Sequence, residues 1–70
     1  MTAVVKVVVN GTPDELPDGC TVAQVVAMRA KTDQGVAVAV NDQVVTKGAW
    51  SQVTLADGDR VEILTAVQGG

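Results

Sequence analysis

The apolar positions of this chain change period twice. Val4-Val5-Lys6-Val7-Val8-Val9 is a nearly continuous β-branched run. Its length and composition predict a strand, and its continuity predicts burial on both faces. It meets Asn10-Gly11, the pair that favours a type I′ hairpin because both central residues need φ > 0. Thr12 to Leu16 is then the returning strand. Pro13 and Pro17 cannot donate ladder hydrogen bonds, which makes this strand short and places it at an edge. The period next becomes helical. Thr21 followed by Gln24 matches a capping box, with Cys20 and Val25 at the staple positions. Val22, Val25 and Val26 form a stripe at helical spacing, so a helix is predicted from about Val22 to Ala30. Arg29 departs from the apolar residue this stripe favours, and its aliphatic stem can cover the core edge.

After a loop at Lys31 to Gly35, the strand pattern returns. Val36-Ala37-Val38-Ala39-Val40 is wholly apolar. Asn41-Asp42-Gln43 turns into Val44-Val45, Thr46-Lys47-Gly48 leads to Trp50, and Val53-Thr54-Leu55 reads as a brief strand. Asp57-Gly58-Asp59 is a tight turn with Gly at positive φ. The final run, Arg60 to Val67, ends in Gln68-Gly69-Gly70. The order is thus β, β, α, β, β, a short connection and β. One helix covers one face of a sheet and leaves the other partly open. The two most apolar strands, Val4–Val9 and Arg60–Val67, are expected to be central and adjacent. This is an α+β arrangement of the β-grasp type, with a mixed sheet of four to five strands. One domain over residues 1–66 and a flexible tail over 67–70 are expected, with no internal repeat.

Composition narrows the function. The chain has 70 residues, of which 47% are hydrophobic and 1% aromatic, so it forms one small valine-rich core. Net charge is −3, and the five basic residues are scattered. A nucleic-acid binder would present a basic face and stacking rings; here Trp50 is the sole aromatic. No signal peptide and no membrane-length apolar run is recognised, so a cytoplasmic location is the expectation.

Chemistry inside the domain is sparse. There is no histidine, and one cysteine cannot build a zinc site or an internal disulfide. Cys20 lacks a partner base and is read as a packing residue. Asp57 and Asp59 are read as turn chemistry. Asp14, Glu15 and Asp18 form a solvated acidic face, and Trp50 is a plug for the core. No bound cofactor or metal is expected, and an active site within the chain is improbable. What remains is the carboxylate of Gly70. Glycines lack a Cβ, so the chain end can enter a narrow slot.

The segment Val38-Ala39-Val40-Asn41-Asp42-Gln43-Val44-Val45, with Trp50, Leu55-Ala56-Asp57-Gly58-Asp59-Arg60-Val61-Glu62 and Val67-Gln68-Gly69-Gly70, resembles the ThiS family. Asn10-Gly11 and Asp18-Gly19-Cys20-Thr21-Val22 match its first hairpin and helix start. The resemblance covers essentially the whole chain. The Asp-Gly-Asp turn and Gly-Gly end are shared with the wider ubiquitin-like sulfur carriers, including MoaD, the small subunit of molybdopterin synthase. The resemblance implies a carrier that is not itself an enzyme. A ThiF-type enzyme would spend ATP to adenylate Gly70, a cysteine desulfurase or other donor would supply sulfur, and thiazole synthase (ThiG) would take it from the thiocarboxylate.

In that scheme Val67, Gln68 and Gly69 form the handle that delivers Gly70. Four extended residues reach roughly 13 Å. Val40, Val44 and Leu64 are expected to border the open sheet face, either as a partner-docking patch or as core filling. The chain is expected to be a monomer when alone. A MoaD-like subunit, or a carrier for thiosugar, siderophore or tRNA thiolation pathways, would use the same carboxylate chemistry.

Overall fold

The computed structural model describes residues 3–30 and 34–65. Its elements are β1 (Val4–Val9), β2 (Thr12–Pro17), α1 (Val22–Arg29), β3 (Val36–Val40), β4 (Gln43–Val45), a 3-10 helix (Lys47–Gln52) and β5 (Arg60–Thr65). The five strands form one mixed sheet in the order β2-β1-β5-β3-β4. The α+β reading holds, as does the central pair: β1 and β5 are adjacent and parallel. The proline-bearing β2 lies at an edge, as Pro13 and Pro17 require. The expected boundary between residues 66 and 67 lies outside the described residues.

Register divides the sheet into two faces. Val5, Val7 and Val9 of β1, Leu16 of β2, Val38 of β3, and Val61 and Ile63 of β5 are all buried. Val22, Val25 and Val26 of α1 join the same cluster, as do Cys20, Trp50 and Leu55. The opposite face carries Val4, Lys6 and Val8 of β1 and Arg60, Glu62 and Leu64 of β5, none of them buried. The expectation that β1 is buried on both faces is therefore wrong. A single helix shields one side, so β1 alternates despite its continuous valines.

The local signals act as expected. Asn10 and Gly11 have φ of 51° and 81°, the type I′ geometry. The Thr21 side chain accepts from the Gln24 amide at 3.3 Å, and the Gln24 side chain accepts from the Thr21 amide at 2.9 Å. Both halves of the capping box are formed. Val53-Thr54-Leu55 is reduced to an isolated bridge between Thr54 and Thr21. The 3-10 helix at Lys47–Gln52 was not anticipated. It carries Trp50 into the core, where the indole Nε1 donates to the Val45 carbonyl at 3.0 Å. Arg29 is exposed and pairs with Asp14 on β2. Asp14 and Glu15 thus belong to the edge strand.

Cys20 is 4% exposed, and burial pushes its thiol pKa up. A thiol held protonated among apolar side chains is a poor nucleophile, which agrees with a packing role. Cys20→Ala is expected to cost about 1–2 kcal/mol, because the site is fully buried. Urea unfolding measures this, and a variant with less than half that loss would show that the sulfur packs loosely.

Candidate functional site

The strand that leads to the chain end is tied down on both sides. β5 pairs with β3 over five registered positions, from Val36 opposite Thr65 to Val40 opposite Val61. On its other side, parallel pairing with β1 covers only Val8–Arg60 and Val9–Val61, because β1 then enters its hairpin. Asn10 continues the ladder with its side chain. Its Oδ1 accepts from the Ile63 amide at 2.8 Å and its Nδ2 donates to the Ile63 carbonyl at 3.2 Å. A primary amide presents the same donor and acceptor as a peptide group, so it stands in for the missing strand residue.

The second hairpin repeats the device. Asn41 also has positive φ, 53°. Its Oδ1 accepts from the Arg60 amide and its Nδ2 donates to Asp59, both at 3.0 Å. Asp57 accepts from the Lys6 amide at 2.6 Å and Asp59 from the Ala56 amide at 2.8 Å. The acidic turn before β5 is thereby knitted to β1, and its carboxylates serve backbone donors. No cluster of three or more metal-ligating side chains occurs among the described residues.

The open face provides the docking candidates. Val44 is 79% exposed and Leu64 68% exposed, too much for core filling. Register places Val44 opposite Ala39, Ala39 opposite Glu62, and Leu64 opposite Ala37, all on one face. Val40 does not belong with them. It is paired with buried Val61 and packs at the core edge beneath the sheet, so its expected place on the open face is corrected. Arg60 is held by Asp42 at 2.8 Å, and that hydrogen bond pushes the guanidinium pKa further up. Val67, Gln68, Gly69 and Gly70 lie outside the described residues.

The ThiS family model matches residues 5–70, which takes in the fold from the second residue of β1 onward and the final glycines. The chain belongs to the ThiS family. The thiamine biosynthesis protein (ThiS) of Geobacter metallireducens is similar in structure, with a TM-score of 0.74 and 31% identity. That match covers 94% of this chain and all of the other. Caldiarchaeum subterraneum ubiquitin superposes over the full length of both chains with a TM-score of 0.55 and 21% identity. At that identity the likeness shows the ubiquitin-like β-grasp fold alone. A sequence search of curated proteins finds no match.

As a ThiS family member the chain is a ubiquitin-like sulfur carrier, a small non-catalytic fold. Among its described residues no helix is long and apolar enough to cross a membrane. Sequence reasoning missed Asn10 and Asn41 as anchors of the ThiS carrier strand. The signal was present: each is an Asn at the first turn position of a hairpin. What it could not reveal is that both side chains reach the same distant strand.

Proposed function

We propose that this chain carries sulfur for thiazole formation in thiamin biosynthesis, with Gly70 as the carrying residue. The observation that carries the reading is the family match, whose bounds, residues 5–70, include Gly69 and Gly70. The likeness to a thiamine biosynthesis protein supports the choice of pathway.

A free carboxylate is a poor electrophile, because its charge is delocalised and its leaving group is oxide. A ThiF-type enzyme would let a Gly70 carboxylate oxygen attack the α-phosphate of ATP, releasing pyrophosphate. The resulting acyl-adenylate has AMP as a leaving group. A desulfurase persulfide attacks the acyl carbon, AMP departs, and reduction of the new S–S bond by a thiol leaves the thiocarboxylate. Thiazole synthase then receives the sulfur. ATP is a substrate of the partner enzyme and not a ligand of this chain. The chain contributes a docking face and a handle whose last two residues carry no side chain.

Incubation with ATP, an adenylating enzyme and a sulfur donor is expected to raise the intact mass by the difference between sulfur and oxygen. An unchanged mass beside an active partner overturns the reading. Stable co-purification with a molybdopterin synthase large subunit, without binding to thiazole synthase, would reassign the pathway.

Val44 and Leu64 are the side chains proposed to meet the partner. Leu64→Asp is expected to change stability by no more than about 0.5 kcal/mol, because the residue is exposed. It should raise the KM for adenylation on the order of tenfold, the effect of losing one central apolar contact. Unaltered kinetics in both Leu64→Asp and Val44→Asp would remove this face from the docking surface.

A further inference from the structure

The seam between β1 and β5 is closed by an asparagine that precedes a glycine. In Asn-Gly the following residue has no Cβ to hinder approach to the side-chain amide. Deamidation at such a pair begins when the Gly11 nitrogen attacks Asn10 Cγ. The new N–C bond forms as the Cγ–Nδ2 bond breaks, and ammonia leaves with the proton from the Gly11 nitrogen. Water then opens the succinimide to aspartate or isoaspartate.

In the folded chain the Asn10 side chain is already engaged elsewhere. Both polar atoms of the Asn10 side chain are engaged by Ile63, at 2.8 and 3.2 Å, while its main-chain amide donates to Val61 at 2.8 Å. Attack requires the side chain to swing away from β5 toward Gly11, and that breaks both bonds to Ile63. We propose that Asn10 is a latent deamidation site, held off by its grip on Ile63 and exposed whenever the β1–β5 seam opens.

The products would keep the seam open. Aspartate has no Nδ2–H, so the bond to the Ile63 carbonyl is lost and a carboxylate oxygen faces a carbonyl oxygen. Isoaspartate adds a methylene to the main chain of a two-residue turn that sets the β1–β2 register. Modification therefore traps the opened state of the strand that leads to Gly70. Asn41 is a control within the same molecule. Its Oδ1 also accepts from β5, at the Arg60 amide, while its Nδ2 donates to the Asp59 carboxylate; Asp42 follows it, and a side chain at that position hinders attack.

The full chain, incubated at mildly alkaline pH with and without urea and mapped by peptide mass, tests this. Asn10 should convert on the order of tenfold faster or more in urea, as expected if reaction needs local opening. Asn41 should lag behind Asn10 in urea. Equal Asn10 rates in folded and unfolded chains overturn the proposal. Asn10→Asp, which mimics one product, should melt at a lower temperature or fail to fold. An unchanged melting temperature would show that the grip on Ile63 does not hold the seam.

Discussion

Trp50→Ala is expected to cost about 3–5 kcal/mol and to leave the chain largely unfolded at 37 °C. The residue is 5% exposed and is the sole aromatic in a core otherwise built mainly of valines. Truncation removes the largest side chain of that core and leaves a void that short, stiff valines cannot fill. It also removes the Nε1–H donor from the Val45 carbonyl. A single core in a chain of this length supplies roughly 3–5 kcal/mol in all, so the loss is comparable to the total. Trp50→Phe separates the two contributions. It keeps a ring but loses the donor, and should cost about 1–3 kcal/mol. Urea titration followed by circular dichroism reads both variants without the indole signal. A Trp50→Ala midpoint near that of the parent chain would show that the 3-10 helix docks weakly and that the core stands without it.

Much of this fold was legible because its local signals are strong and mutually consistent. Asn10-Gly11 demanded a hairpin, Thr21 and Gln24 demanded a helix start, and Pro13 and Pro17 demanded an edge. The misreadings have a common physical source. Val4–Val9 contains enough valine to be buried on both faces, but burial is decided by what covers a face, and one eight-residue helix covers only one. Val40 was misplaced for a related reason. In a strand of five apolar residues, every position suits either side, so the face is set by register with β5 and not by composition. The 3-10 helix was hidden because Lys47-Gly48-Ala49-Trp50 has too few residues to display a period.

The same logic separates the two halves of the functional site. The proposal for Gly70 rests on elimination, since the chain has no histidine and no metal set competes with it among the described residues. The face proposed for docking was only half legible. Val44 and Leu64 read as apolar residues in strands and could equally have filled the core. Their exposure follows from alternation: Leu64 must face outward because Ile63 faces inward, and Val44 because Val45 packs against the core. A rigid sheet whose central strand is clamped by Asn10 and Asn41 presents that face at a fixed position relative to Thr65. This is what a carrier needs if the partner is to find both the face and the carboxylate.

Gly69→Val is expected to abolish adenylation while leaving the melting temperature nearly unchanged. Among the described residues the buried cluster runs from Val5 to Ile63, and a glycine at position 69 has no side chain to contribute to a core. Substitutions away from core, caps and strained positions usually fall within about 0.5 kcal/mol. Reaction is another matter. In the proposed reaction Gly70 would be brought in line with the α-phosphate of ATP, and the residue beside it would have to pass the walls of the partner's site. A β-branched side chain adds bulk there and restricts the φ and ψ that glycine leaves free. Misplacement of a reacting group by about 1 Å is enough to lower the rate on the order of a hundredfold. ATP–pyrophosphate exchange with the adenylating enzyme measures the loss, and Gly69→Ala should be intermediate. Because Val44 and Leu64 are untouched, Gly69→Val should still bind and inhibit exchange by the unmodified carrier. Failure to inhibit would show that the tail supplies most of the binding. A large fall in melting temperature would show that residue 69 is part of the folded domain, and undiminished exchange would show that the partner's channel is wide.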